Sequence, residues 1–209
     1  MSRYDYQPFD YTTPPELSGK TADLYPVASV GAGPVGLSAA IDLALHGVRS
    51  VVLDDNDVVS VGSRAICWAK RTLEIFDRLG VGDRMVAKGV TWKVGRLFHR
   101  DSEVYSFDLL QQAVHKMPAF INLQQYHVEQ YLVERCADFP DLIDLRWKNK
   151  VTGIEQHQDR VSLQVSTPDG EYDLDAGFAV ACDGARSPVR SMLGLSFEGT
   201  QFDERFLIA

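Results

Sequence analysis

The chain has 209 residues and carries 21 Lys and Arg against 29 Asp and Glu, a formal net charge of −8. That balance excludes the basic surface on which nucleic-acid binding depends, no apolar run is long enough to span a bilayer, and the N-terminus lacks the apolar core of a signal peptide. The three cysteines and five histidines show no metal-ligand spacing. We therefore expect a cytoplasmic protein with reduced thiols and no metal, long enough for one well-cored domain or a domain and part of another.

The first 24 residues differ in kind from those that follow. Residues 4–11 are aromatic and acidic without a helical period, and Pro14 and Pro15 come soon after. We expect an extended N-terminal arm over 1–24 that lies on the domain or on a partner subunit, because wholly disordered tails are usually poor in aromatic residues. A disordered tail is the alternative interpretation.

A dinucleotide-binding turn is predicted at Gly31-Ala32-Gly33-Pro34-Val35-Gly36, directly after a short apolar strand over 27–30. In such a turn Gly31 permits the tight reversal, Gly33 lets a pyrophosphate approach the backbone, and Gly36 lets the following helix pack against the sheet. The N-terminal amides of that helix would face the phosphates.

A second strand, predicted over 50–53, follows a helix predicted over 35–46, and it ends in Asp54. Asp54 lies 54 − 36 = 18 residues after the last glycine of the turn, where this fold places the carboxylate that accepts hydrogen bonds from a ribose. The neighbouring Asp55 and Asp57 are interpreted as solvated loop charges.

The rest of the chain alternates predicted helices and strands. Apolar spacing predicts helices at 68–79 and 125–137, and extended segments at 91–98, 104–107, 118–123 and 143–147. Three further strands predict a β-meander, at 151–154, 161–165 and 172–174 with a turn at 168–170. A last apolar strand, 178–182, is predicted to return to the parallel sheet.

A second motif follows that last strand, with the sequence Cys182-Asp183-Gly184-Ala185-Arg186-Ser187-Pro188-Val189-Arg190. It is typical of a strand end, an Asp-Gly turn and the start of a helix. Asp183 is a candidate cofactor contact, and capping of the helix near Ser187 is the alternative. Arg190 is interpreted as structural. Together with the glycine turn upstream, this motif indicates a flavin site.

The order of these motifs resembles that of the FAD-dependent aromatic-ring monooxygenases, the group of p-hydroxybenzoate hydroxylase and phenol hydroxylase, and is most similar to the 3-(3-hydroxyphenyl)propionate hydroxylases. The resemblance covers nearly all of the chain after Tyr25 and is most specific at 62–65 and 71–76. It implies an α/β fold, a Rossmann-like FAD-binding domain over 25–195 with a parallel sheet and a β-meander. It also implies that 196–209 begins the sheet of a substrate domain and that the fold is incomplete at its C-terminus.

The resemblance implies roles for single residues. The glycine turn would bind the FAD pyrophosphate and Asp54 the adenosine ribose. Arg64 would contact the ribityl–phosphate region and help place the flavin, and Gln125 would hydrogen-bond the flavin side of the cofactor. The complete implied set is Gly31, Gly33, Pro34, Gly36, Asp54, Arg64, Gln125, Asp183 and Gly184. Several alternatives stay open: Arg64 as a surface residue, Arg71 as a helix-start salt bridge, Gln124 in place of Gln125, and Glu129 as a helix or salt-bridge residue. No catalytic residue is assigned.

The activity implied by the resemblance is hydroxylation of a phenolic substrate by O2, with NAD(P)H as a transient co-substrate that reduces FAD. No second GxGxxG is present for the nicotinamide, and the Gly-Asp motif that completes the flavin site in this group is absent. We therefore expect an N-terminal part of a longer hydroxylase, inactive alone, with a homodimer as a compatible assembly. Another FAD enzyme such as a halogenase or reductase, or a non-catalytic nucleotide-binding module, is the alternative.

Overall fold

A six-stranded mixed sheet organises the protein, and the computed structural model describes it within residues 4–19, 24–62, 64–109, 114–200 and 202–203. The elements of this described part, in chain order, are β1 (Tyr25–Val30), α1 (Pro34–Leu45), β2 (Ser50–Leu53), β3 (Cys67–Ala69), α2 (Lys70–Arg78), α3 (Gly82–Lys88), β4 (Val90–Trp92), β5 (Val94–His99), β6 (Ser102–Asp108), β7 (Phe120–Asn122), α4 (Gln125–Cys136), β8 (Ile143–Arg146), β9 (Lys150–Gln156), β10 (Val161–Thr167), β11 (Gly170–Ala181) and α5 (Pro188–Met192). A 3-10 turn, Pro15–Ser18, precedes β1.

The main sheet has the order β8-β2-β1-β11-β10-β9 and combines two kinds of pairing. Strands β8, β2, β1 and β11 are parallel, whereas β11, β10 and β9 are antiparallel. All four residues of β2 are buried, as expected for a strand covered on both faces of a parallel sheet. The predicted α/β fold with a parallel sheet and a meander is confirmed.

Strand β11 belongs to both halves of this sheet, which corrects the prediction of separate strands at 172–174 and 178–182. Its first part pairs antiparallel with β10 from Gly170 to Ala176, and its second part pairs parallel with β1 from Ala176 onward. The three residues between the two predicted strands, 175–177, end in Gly177, where a Cβ would lie 3.0 Å from the Pro26 carbonyl oxygen. The glycine that weakens the strand pattern thus permits the strand to continue.

Two other predicted boundaries are wrong because tertiary pairing overrides the local pattern. The single strand expected over 91–98 is divided between β4, which pairs with β7, and β5, which forms a separate hairpin with β6. The helix expected from Trp68 begins at Lys70, because residues 67–69 pair with β7. The short helix α3 was not predicted from the sequence.

The core lies on both faces of the main sheet. Along β2, Val52 faces a cluster that includes helices α1, α2 and α4, whereas Val51 and Leu53 face a cluster with β9, β10 and β11. This division follows from the alternation of side chains along a strand. Leu37 and Ile41 of α1 are fully buried in the first cluster, which holds the N-terminus of α1 at the carboxyl end of β1.

The described part of the N-terminal arm, residues 4–19, contacts the domain. The Phe9 ring stacks on Trp147 with centroids 4.4 Å apart and an angle of 12° between the planes. Glu16 forms an ion pair with Arg146 at 2.9 Å, and both side chains are almost completely buried. The boundary of the arm at residue 24 remains a prediction. The start of a substrate-domain sheet over 196–209 also remains a prediction, because residues 196–200 and 202–203 form no strand and the other residues of this segment lie outside the described part.

Candidate cofactor site

A cleft of about 490 Å³ lies at the carboxyl ends of β1, β2 and β11. Ligands of open α/β sheets bind outside the carboxyl ends of the strands. Of the residues implied by the resemblance, those that line this cleft are Gly31, Gly33, Pro34, Asp54, Gln125, Asp183 and Gly184. Gly36 lies beneath the turn and Arg64 lines an adjoining cleft, so the structure brings together segments that are far apart in the chain.

Two of the three motif glycines are required by the protein's own packing. Gly31 has φ +105°, and a Cβ there would lie 2.5 Å from the carbonyl oxygen of Cys182. A Cβ on Gly36 would lie 1.9 Å from the carbonyl oxygen of Gly31. The glycine turn therefore touches the end of β11 on one side and the first turn of α1 on the other, and only backbone fits between them.

Gly33 differs from the other two glycines because no atom lies within 4 Å of the position that its Cβ would take. Its φ of −76° and ψ of −177° are open to any residue, and it caps the N-terminus of α1. Pro34 occupies the first helical position, where no amide is needed, and the amides that follow lack partners within the helix. Open space beside a helix N-terminus fits a pyrophosphate group.

Asp54 connects the end of β2 to the glycine turn. Its Oδ2 accepts a hydrogen bond from the Ala32 amide at 2.6 Å, and its Oδ1 accepts from the amide and the side chain of Asn56 at 2.9 and 3.0 Å. Three of the roughly four lone-pair sites of the carboxylate are used, so Oδ2 keeps one site that can accept from a ribose hydroxyl without releasing these donors. Asp57 was expected to be a solvated charge, but its half-buried carboxylate pairs with Lys148 at 2.8 Å.

The second motif lies directly beside the glycine turn, because a Cβ on Gly31 would lie 3.0 Å from the Asp183 amide nitrogen. Asp183 Oδ2 accepts from the Val189 amide at 3.0 Å, and Ser187 Oγ accepts from the Arg190 amide at 3.0 Å. The capping contact weighed for Asp183 is therefore present, while the same residue lines the cleft. Gly184 has φ +84° with open space around it. Arg190 donates to the Ala185 carbonyl at 3.1 Å, a structural contact.

Gln124 and Gln125, at the start of α4, differ in position: only Gln125 lines the cleft. Gln125 lines the cleft, accepting from the Ala65 amide at 3.2 Å and donating to Glu129 at 2.7 Å. Gln124 is the exposed N-cap residue. Glu129 is buried and also accepts from the Ser60 amide at 2.5 Å, so it is held as a helix residue by two amides.

Arg64 is exposed and borders a smaller cleft of about 260 Å³. This cleft shares Gly33 and Asp54 with the larger one, so the two form one connected groove. Arg71, the other arginine of this region, donates to Glu74 at 3.4 Å, which is the helix-start salt bridge weighed as its alternative. Arg64 is thus the arginine that the fold places beside the groove.

Asn149 and Cys182 also line the cleft, and neither was predicted from the sequence. Asn149 is buried; its amide donates to the Asp54 carbonyl at 2.8 Å, and its Oδ1 accepts from the Tyr172 hydroxyl at 2.7 Å. No local motif marks this asparagine, because its partners are distant in sequence. Burial raises the pKa of the Cys182 thiol.

Among the described residues, no group of three or more His, Cys, Asp or Glu side chains is arranged to hold a metal ion. In the same part of the chain, no helix has the length and apolar character needed to cross a membrane. The polar groups that line the two clefts include carboxylates, amides, guanidinium groups, an ammonium group and backbone amides, a set suited to a nucleotide with ribose and phosphate moieties.

Comparison with known proteins agrees with this geometry. Para-nitrophenol 4-monooxygenase from Pseudomonas sp. (strain WBC-3) is 32% identical over 87% of this chain and 45% of its own length. A 3-(3-hydroxy-phenyl)propionate/3-hydroxycinnamic acid hydroxylase from Burkholderia cenocepacia is 31% identical over 87% of this chain and 34% of its own length. The crystal structure of p-nitrophenol 4-monooxygenase from Pseudomonas putida DLL-E4 superposes with a TM-score of 0.80 at 35% identity, covering 86% of this chain and 46% of that one.

The chain thus spans less than half the length of the curated relatives named above. A family model described as an FAD binding domain matches residues 24–208, nearly everything after the arm. The chain belongs to the FAD-binding domain family, and its cofactor is FAD.

Proposed function

We propose that this chain is the FAD-binding part of a flavin-dependent monooxygenase that uses NAD(P)H and O2 to hydroxylate a phenolic aromatic substrate. The observation that carries the proposal is the single groove in which the glycine turn, Asp54, Gln125 and the Asp183-Gly184 pair meet. The names of the relatives, nitrophenol monooxygenase and hydroxyphenylpropionate hydroxylase, supply the substrate class. A cytoplasmic location and a homodimer remain predictions.

In this proposal FAD supplies the redox chemistry when bound, and the residues of this chain bind and orient it. The open space at Gly33 receives the pyrophosphate at the positive end of the α1 dipole. Asp54 accepts a hydrogen bond from the ribose, and its bond to the Ala32 amide fixes the distance between the ribose and phosphate contacts. Arg64 and Gln125 orient the flavin side, and Asp183 and Gly184 line the groove beside the turn.

The test is FAD binding by the purified chain, compared with the variant Gly33→Val. The φ and ψ of Gly33 are open to valine, and no protein atom lies within 4 Å of the Cβ position, yet the side chain occupies the space assigned to the phosphates. We expect FAD affinity to fall at least about tenfold, the loss of one charge-assisted hydrogen bond or more, with an unchanged thermal midpoint. Fluorescence quenching of FAD measures the affinity.

The matched control is Gly47→Asn, at the opposite end of α1. Gly47 has φ +73° with open space around it, and asparagine tolerates that conformation better than other residues. This variant should keep the FAD affinity of the original chain. Equal affinity in all three proteins, or release of NAD instead of FAD on denaturation, would contradict the placement. Coupled oxidation of NAD(P)H by the longer protein with 4-nitrophenol or 3-(3-hydroxyphenyl)propionate tests the activity.

A further inference from the structure

The loop that follows β2, residues 54–57, is hydrogen-bonded to the turn between β8 and β9, residues 147–149. The carbonyl of Asp54 accepts from the Asn149 amide at 2.8 Å, and the carbonyl of Asn56 accepts from the Lys148 amide at 3.0 Å. Lys148 has φ +56°, a left-handed conformation that costs a residue with a Cβ some free energy. This turn therefore depends on contacts from outside itself to keep its shape and to hold the loop that carries Asp54.

The arm, residues 4–19, supplies such contacts to both the loop and the turn. The Phe9 amide donates to the Asp57 carbonyl at 2.6 Å, so the arm binds the loop directly. The Phe9 ring stacks on Trp147 in the turn. Glu16 pairs with Arg146, the last residue of β8 and the first before the turn. One short segment thus contacts each piece of backbone that positions Asp54.

The ion pair at the base of the arm continues by hydrogen bonds to the cleft. The Arg146 guanidinium donates to Glu16 and to the Tyr172 hydroxyl, the latter at 3.0 Å. The Tyr172 hydroxyl in turn donates to Asn149 Oδ1 at 2.7 Å. The side chains of Arg146 and Glu16 are 6% and 8% exposed, and a buried charge that loses its partner is costly. We call Glu16 the latch of the arm. Its ion pair is linked by these hydrogen bonds to Asn149, which lines the cleft.

The arm also reaches the other end of the groove. The Tyr6 hydroxyl accepts from the Gly62 amide at 3.3 Å, two residues before Arg64. Tyr4 packs on Tyr126, the second residue of α4, with ring centroids 4.1 Å apart. The arm therefore contacts this loop at Asp57 and at Gly62, two positions that lie between Asp54, assigned to the ribose, and Arg64, assigned to the flavin side.

We propose that the arm is a positioning element for the cofactor: it straps the 54–62 loop into the geometry that binds FAD, and Glu16 on Arg146 is its latch. The arm precedes the family match, which begins at residue 24, so this device is a property of the chain beyond the shared domain. The inference rests on the proposed placement of FAD in the groove. It requires that FAD and the arm stabilise each other, since coupling between two sites is reciprocal.

The experiment measures FAD affinity in the full chain and in the variants Glu16→Gln and Phe9→Ala. Glu16→Gln removes the latch charge at nearly constant shape, and Phe9→Ala removes the stacking on Trp147 while the buried ion pair stays intact. We expect each variant to raise the FAD dissociation constant about tenfold, a coupling typical of residues in one network, at a temperature where both are fully folded. If Glu16→Gln fails to fold, Phe9→Ala carries the test.

Two controls separate positioning from general stability. Glu155→Gln removes an exposed carboxylate on β9 and should leave the dissociation constant unchanged. Hydrogen exchange of the Phe9 amide should slow when FAD is added to the original chain, which a purely structural arm would not show. Unchanged affinity in both arm variants, or exchange at Phe9 that ignores FAD, overturns the proposal. Failure of the original chain to bind FAD overturns the proposed function instead.

Discussion

Two regions border the groove and are held in different ways. The glycine turn and residues 183–184 are held by backbone packing, whereas the 54–57 loop is held by residues that are distant in sequence. The glycine turn and the Asp183-Gly184 pair meet because Gly31 and Gly36 leave no room for a Cβ. The 54–57 loop stays in place because Asn149, Lys148 and the arm donate to it. One site can therefore combine a region that a sequence motif predicts with a region whose contacts correspond to no sequence motif.

The largest expected effect comes from the glycine turn. Gly31→Val combines a φ of +105° with a contact of 2.5 Å from its Cβ to the Cys182 carbonyl oxygen. We expect the free energy of unfolding to fall by roughly 4 kcal/mol or more, the sum of backbone strain and overpacking. Urea denaturation measures it. Gly33→Val is the matched control, and equal stability losses in the two variants would refute the distinction between structural and cofactor-facing glycines.

The side-chain support of the 54–57 loop is tested next by Arg146→Met. This change leaves Glu16 and Asp144 facing each other without the guanidinium that both contact. The expected loss of stability is about 3 kcal/mol, near the lower end for breaking a buried charge network. The control variant is Arg160→Met, which removes a half-exposed arginine from the connection between β9 and β10. Chemical denaturation measures the stability of both variants. A loss no larger than that of Arg160→Met would show that the network contributes little.

Alkaline pH weakens the same support. Burial, followed by the hydrogen bond with Asp144, raises the pKa of Tyr25 from 10 to about 12, and burial raises the pKa of Tyr172 to about 12. Because the unfolded chain releases these protons first, stability should decline between pH 10 and pH 12, by up to about 2–3 kcal/mol for each tyrosine. Tyr172→Phe should flatten this decline. A stability that is constant over the interval would contradict it.

The smallest expected effect concerns Asp54, which connects the 54–57 loop to the glycine turn. Asp54→Ala removes the carboxylate that binds the Ala32 amide and is assigned to the ribose. We expect FAD binding to weaken by roughly 1–3 kcal/mol, the cost of leaving buried hydroxyl groups unpaired. Asp55→Ala, an exposed neighbour in the same loop, should leave the affinity unchanged. Titration of FAD into both variants decides which carboxylate acts, and an effect confined to Asp55→Ala would reverse the assignment.

The parts of the fold that could be predicted are those that depend on short stretches of chain. The turn at Gly31, the strand ending at Asp54 and the helix start near Ser187 each follow from a few adjacent residues, so sequence and structure agree there. The continuity of β11 through Gly177 and the division of 91–98 between two sheets depend on which strand lies alongside. No window of sequence contains that information.

The same reasoning separates the predictable site residues from the others. Gln125 was ambiguous with Gln124 because a helix start is uncertain by a residue or two, and only packing of α4 decides which one faces the groove. Asn149 was missed because its role depends on Asp54 and Tyr172, which are remote in sequence. Glu16 was unremarkable in an acidic tail until Arg146 was placed opposite it.

Strand β11 has a consequence for which changes of length the protein tolerates. Because this one strand is paired to β10 before Ala176 and to β1 after it, its register is fixed from both sides. A single residue inserted near Gly177 would turn every later side chain to the opposite face and would carry Asp183 away from the groove. The exposed connection between β9 and β10 has no such constraint. Natural or engineered insertions should therefore accumulate in that connection and be absent from β11. The length of β11 fixes the distance from the meander to the groove.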